Sequence, residues 1–304
     1  MEVFSKGMKF QDSSFYKIHK YNSGWEVPIY NIGSYNGLNQ AIGYAKYINS
    51  ESSIFYRGEC RLNLTMQPSI FRGIISQCTR DNAKSRLNKM IKNALEDEKF
   101  SRFIKLDRTS FGSEHIMESV LQHYGIATRC IDVVDNHWAA LWFGLNECKM
   151  NKNINEYYQY KKRTIRLLDT LHTDANDERF YQYIVLIATD FLSKDCSGIV
   201  INDNVITIDL RAAIPSVFLR PHAQHGWILK KNDNKNNADY DLSESVIAIL
   251  RIRVDLADEW LGAGELLSVD NMFPMPGIDQ GYDVLLTRTD IFKDSNNAIT
   301  RFVY

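Results

Sequence analysis

The sequence predicts an α+β fold in a single large domain, residues 36–304, whose mixed and mainly antiparallel sheet is either continuous or split. Three observations predict it. "SSIFYRGE" (52–59) is an early strand-forming run, helical periodicity fills the stretch from 82 to 124, and four β-branched or alternating segments gather between 183 and 254. Helices therefore cluster after the first core strand, and strands gather later. A chain of 304 residues that is 44% hydrophobic and 24% charged is long enough to bury such a core.

Residues 1–35 read as an irregular lead-in, followed by a short helix at "QAIGYAKYIN" with Ile42, Ala45 and Ile48 facing inward. After the first strand, Leu87, Met90, Ile91, Ala94 and Leu95 recur at helical spacing within 82–104. Ile116, Met117, Val120, Leu121 and Tyr124 repeat that pattern behind Ser113, taken as the cap. "TRCIDVV" is extended, and Asn136 is placed to cap the helix "HWAALWFGLNEC". Four strands follow at "YIVLIATD", "NVITIDLR", "GWILKK" and "SVIAILRIRV", with "KKNDNKNNADYD" as a polar loop. A helix over about 256–268 and an amphipathic stretch carrying Tyr282, Leu285, Leu286 and Thr289 close the chain.

The formal net charge is −1, so nothing global attracts nucleic acid or a membrane surface, and an anion site must be local. No stretch approaches the roughly 18 consecutive apolar residues of a membrane span, and "MEVFSKGMKFQDSSFYKIHK" lacks the apolar segment of a secretion signal. The expectation is a cytoplasmic protein without membrane contact. Cys60, Cys78, Cys130, Cys148 and Cys196 are widely spaced with no CxxC pair, which points to buried free thiols instead of disulfides or zinc. No metal is expected.

Three blocks carry candidate chemistry. Arg57 ends an apolar strand. It either pairs with Glu59 or another carboxylate to hold the fold, or clamps phosphate or ribose oxygens while Gly58 gives a ligand clearance. In "LQHYGIATRCIDVVDNHWAALWFGL" (121–145), Gln122, His123, Tyr124, Gly125, Thr128, Arg129, Asp132, Asp135, Asn136 and His137 crowd around a turn and a short strand. Polar groups at that density need partners, and a pocket supplies them. Tyr124 suits stacking on a ring, and Thr128 and Arg129 suit ribose and phosphate; alternatively Arg129 pairs with Asp132 to hold the junction. In "RPHAQHGWILKK" (220–231), Gln224 presents both a donor and an acceptor beside His222 and His225.

The motifs of a P-loop ATPase, a Rossmann dehydrogenase, an α/β-hydrolase and a zincin are all missing from the sequence. "FYRGE", "PSIFRG", the 121–145 block, "RPHAQHGWI" and "NMFPMPGID" resemble, in order, the FRG domain family over roughly residues 50–280. Ala127 stands for that family's usual proline, Cys130 and Ile131 for two leucines, and Val133 and Val134 for Trp-Thr. The resemblance implies a bacterial or phage-encoded module of anti-phage defence or toxin-like systems. A weaker resemblance, to arginine-type ADP-ribosyltransferases, rests on the order of Arg57, Thr128 with the 137–145 helix, and Gln224; Gly226 stands where such a transferase has its catalytic glutamate. It implies a nucleotide or dinucleotide ligand, NAD, with Arg57, Glu59 and Gln224 as catalytic candidates. Arg57, Gly58, His123, Tyr124, Thr128, Arg129, Asp132 and Asn136 would hold that ligand, and the target would be a protein or nucleic acid. Two other readings stay open: a non-enzymatic sensor or interaction module in anti-phage defence, and a protein that binds or cleaves nucleic acid.

Overall fold

The computed structural model describes residues 1–74, 76–105, 112–151, 157–165, 174, 176–190, 198–232, 240–265, 267–293 and 298–302. Its strands are β1 (Ser13–Lys20), β2 (Glu26–Ile32), β3 (Ser52–Glu59), β4 (Cys130–Val134), β5 (Asn146–Asn151), β6 (Tyr157–Lys162), β7 (Tyr181–Asp190), β8 (Ile199–Ile201), β9 (Val205–Asp209), β10 (Gly226–Lys231) and β11 (Val246–Arg253). Nine of them form one mixed sheet in the order β1-β2-β11-β7-β3-β4-β10-β9-β8, and β5 and β6 pair as a separate hairpin. Only β11 with β2 is parallel; the other pairings in the sheet are antiparallel. The domain is α+β.

The helices are α1 (Tyr35–Ile48), α2 (Gln77–Glu96), α3 (Glu98–Ile104), α4 (Ser113–His123), α5 (His137–Leu145), α6 (Leu210–Ala213), α7 (Leu219–Gln224), α8 (Val254–Trp260), α9 (Val269–Met272), α10 (Gln280–Thr287) and α11 (Thr289–Phe292). Leu38, Ile42, Tyr56, Leu141, Ile184 and Leu250 join α1 and α5 to one face of β3, β7 and β11. Leu87, Met90, Met117, Ile208, Ile228, Leu285 and Phe292 join α2, α4, α10 and α11 to the β9–β10 half. A third cluster around Ile29, Phe55, Val185, Leu229 and Ile249 lines the sheet's opposite face.

Several expectations change. Residues 1–35 are not irregular: β1 and β2 form a hairpin, and β2 extends the sheet beside β11. The helix expected over 82–104 breaks at Asp97, whose backbone is extended and whose carboxylate accepts from Phe100 N at 2.7 Å to cap α3. Ser113 is the first residue of α4, preceded by Gly112 at φ +102°. The helix expected over 256–268 ends at Trp260, and Thr289 is exposed. Cys60 is half-buried and Cys130 buried, but Cys78 and Cys148 are exposed. Cys196 and residues 233–239 of the polar loop lie outside the described residues.

Candidate functional site

β3 and β4 are hydrogen-bonded neighbours at one pair only, Tyr56 with Val134. Beyond it the strands diverge, so the sheet is continuous through a single rung. The Asp132 carbonyl then faces a gap where a ladder donor is missing, and a buried carbonyl without a donor is costly. Arg57 fills that gap: Nη1 donates to Asp132 O at 2.6 Å, and Nε donates to Glu59 Oε1 at 2.5 Å. Burial alone would lower the arginine's pKa, and the adjacent Glu59 carboxylate more than offsets it, so the guanidinium stays charged. Glu59 is steadied in turn by Asn63 Nδ2, which donates to Oε2 at 3.0 Å. Nη2 of Arg57 makes no hydrogen bond to the described residues.

Gly58 serves a different purpose from the one expected. A Cβ there would lie 1.8 Å from Ala140 O and 2.7 Å from Gly144 N, so the glycine lets α5 lie directly on β3. Its clearance is taken up by a helix backbone.

The divergence opens a cavity of about 630 Å³, within the size range of small-molecule and cofactor sites. Arg57, Gly58, Glu59, Gln122, His123, Asp132, Gln224 and Gly226 all line it. Gln122 Nε2 donates to Asp132 Oδ2 at 2.5 Å, and Thr128 Oγ1 donates to Gln122 Oε1 at 2.6 Å, which fixes the amide's orientation. His123 Nδ1 stands 3.4 Å from Asp132 Oδ1. Burial would raise the Asp132 carboxyl, but the neighbouring His123, the bond from Gln122 and the charge of Arg57 hold it below the usual carboxylate value.

Several lining residues were not among the expected site residues. Arg72 reaches the cavity with Nε donating to Gln67 O at 3.1 Å, and its pKa is lowered by burial and by the nearby Arg57 cation. Its "FRG" triplet, within the quoted "PSIFRG", repeats the aromatic-Arg-Gly spelling of Tyr56-Arg57-Gly58, a signal that could have marked it as a site residue. Tyr160 stacks on Phe273 (centroids 4.5 Å, planes 29°) and on Phe302 (5.8 Å, 12°), giving the cavity an aromatic wall.

Four candidates do not line the cavity. Tyr124, expected to stack on a ring at the turn, is fully buried and donates through its hydroxyl to Asp279 Oδ2 at 2.7 Å. Arg129 pairs with Glu118 and not with Asp132: its Nε and Nη2 donate to Glu118 at 2.9 and 2.7 Å. Asn136 caps α5 as expected, accepting from Trp138 N at 2.9 Å. Thr128 is fully buried and acts through Gln122. Gln224 does line the cavity, but Nε2 donates to Met272 O at 2.6 Å. At Gly226 a Cβ would stand 2.9 Å from His123 Cε1, so a side chain there would displace the imidazole. His225 turns to Asp135, 3.3 Å away.

Residues 52–153 match the family model of the FRG domain. The chain carries an FRG domain. That span is shorter than the 50–280 over which the motifs recur, and it contributes Arg57, Glu59, Arg72, Gln122, His123 and Asp132 to the cleft. Tyr160, Gln224, Phe273 and Phe302 close the cavity from outside the FRG domain. No curated protein and no solved structure matches the chain. No helix of the described residues is long and apolar enough to cross a membrane, and no group of three or more His, Cys, Asp or Glu among them is gathered to hold a metal.

Proposed function

We propose that the cleft is a nucleotide site of the NAD type, and that the chain is an ADP-ribosyltransferase-like module of bacterial or phage-related defence or toxicity. The observation that carries this reading is Arg57, a fixed and charged guanidinium with Nη2 uncommitted, in a cavity shared with Arg72 and the Tyr160–Phe273–Phe302 wall. Guanidinium forks suit phosphate oxygens, flat aromatic faces suit a base, and the Asp132 carboxylate suits ribose hydroxyls. A thermal-shift panel with NAD, ADP-ribose, ADP and AMP tests it. A ligand at a hundred times its Kd stabilises by about 2.7 kcal/mol, so NAD and ADP-ribose raise the wild-type Tm and Arg57→Lys loses that rise. The absence of any nucleotide-dependent shift in wild type refutes the reading.

The same hydrogen bonds of Arg57 favour a second reading, a non-enzymatic sensor whose polar core they form. In that case Arg57→Lys loses stability and cellular activity together, without any ligand effect. Nucleic-acid binding is least favoured, because the chain's net charge is −1 and the cleft's Arg57, Arg61 and Arg72 are matched by Glu59, Asp132 and Glu147.

A further inference from the structure

The carboxylates of the cleft differ in how fully they are engaged. Both oxygens of Glu59 accept bonds, from Arg57 at 2.5 Å and Asn63 at 3.0 Å. Glu147 is flanked by Arg61 at 3.4 Å and Lys149 at 3.0 Å. Asp132 accepts from Gln122 on Oδ2, while its Oδ1 makes no hydrogen bond and has only His123 Nδ1 at 3.4 Å. Its side chain is 41% exposed, against 15% for Glu59, although Oδ1 itself is buried. His123 Nε2 is likewise buried without a partner, and unsatisfied buried groups of this kind gather where a ligand completes the network. Bonds to a reacting carboxylate are often long in a free enzyme and tighten in the complex.

We propose that Asp132 is the acting carboxylate of the cleft, facing the ribosyl carbon of a bound dinucleotide that carries a cationic base, with Gln122 and His123 as its positioning residues. This rests on the nucleotide reading above. In the step, the bond from C1′ to the nicotinamide nitrogen breaks and the nitrogen keeps both electrons, so nicotinamide leaves neutral. A bond forms from C1′ to the oxygen of water, whose proton passes to Asp132 and on to solvent; NAD and water give ADP-ribose, nicotinamide and a proton. The Asp132 charge faces the positive charge that develops at C1′. Thr128 aims the Gln122 amide at Asp132, and Gly226 leaves the room that the imidazole occupies.

The test measures nicotinamide release from NAD by chromatography, beside the NAD-dependent thermal shift, for wild type, Asp132→Asn, Glu59→Gln and Gln122→Ala. Asp132→Asn is expected to lose kcat by at least about a hundredfold while keeping KM and the thermal shift. Glu59→Gln should raise KM by loosening Arg57, and Gln122→Ala should lower kcat alone. Should Asp132→Asn fail to fold, Asp132→Ala with added formate replaces it, and formate must restore release. An Asp132→Asn variant that turns over like wild type overturns the proposal. A wild type that binds NAD but releases no nicotinamide overturns it too and leaves the nucleotide reading standing, whereas a wild type that NAD does not stabilise removes that reading first.

Discussion

Glu118 offers the sharpest check on the division between structural and ligand-facing residues. It is 1% exposed on α4 and accepts from Arg129 Nη2 at 2.7 Å and from Lys230 Nζ at 3.0 Å, with Lys230 itself 2% exposed. Burial alone would raise its pKa, but the two cations hold it down to about 2, from an ordinary 4.5. Glu118→Gln removes the carboxylate that accepts from Arg129 and from the fully buried Lys230, and breaking a buried ion pair at one partner costs about 3–5 kcal/mol and on the order of 10 °C in Tm. The folded carboxyl titrates below the unfolded one. Its contribution of roughly 3 kcal/mol is therefore fully present above pH 4.5 and is lost as the pH falls towards 2. Urea unfolding followed by tryptophan fluorescence at pH 7, 4 and 3 should show that loss in wild type and its absence in Glu118→Gln. A variant within about 0.5 kcal/mol of wild type at pH 7, or equal losses in acid, would refute the assignment of Arg129 to the fold.

Gly58→Ala drives a methyl group into Ala140 O, and overpacking of this kind costs about 3 kcal/mol or more; a thermal melt unchanged by the substitution contradicts the close packing of α5 on β3. Tyr124→Phe removes a hydroxyl that bonds buried Asp279, so it should cost about 1.5–3 kcal/mol in urea unfolding and leave the NAD-dependent thermal shift intact. Loss of that shift would return Tyr124 to the ligand site. Burial pushes the Cys60 thiol up to about 11. Mass spectrometry should find it slow to alkylate at pH 7.5 and faster towards pH 10, and modification at the rate of a free thiol would be inconsistent with that.

The strands between 183 and 254 were legible because alternation of β-branched residues is a local signal, carried by "VITID" and "VIAILRIR" themselves. β1 and β2 were not. β1 faces mostly solvent and its register shifts between Phe15 and Lys17, while β2 holds Pro28 and finds its inner neighbour in β11, at the far end of the chain. In the site, the abrupt end of an apolar strand in Arg57-Gly58-Glu59 and the polar density of Gln122, His123 and Asp132 both marked residues that line the cavity. Sequence proximity misled at Arg129, where Asp132 stood near and Glu118 sat within an apolar helical face. Tyr160, Phe273 and Phe302 come from three separated segments, so tertiary assembly alone makes them one wall. Gly58 was read as clearance for a ligand and meets the α5 backbone, because a single sequence cannot say whether the approaching group is a ligand or a helix.

Calorimetric titration of NAD and ADP-ribose into wild type and Arg57→Lys tests the nucleotide site at its anchoring residue. Lysine keeps the charge but cannot hold Glu59 and the Asp132 carbonyl together while offering a further planar donor pair. Saturable binding of both ligands to wild type and at least a tenfold weaker Kd for the folded variant are expected. Undetectable binding to wild type, or equal affinity in the two proteins, contradicts the nucleotide reading.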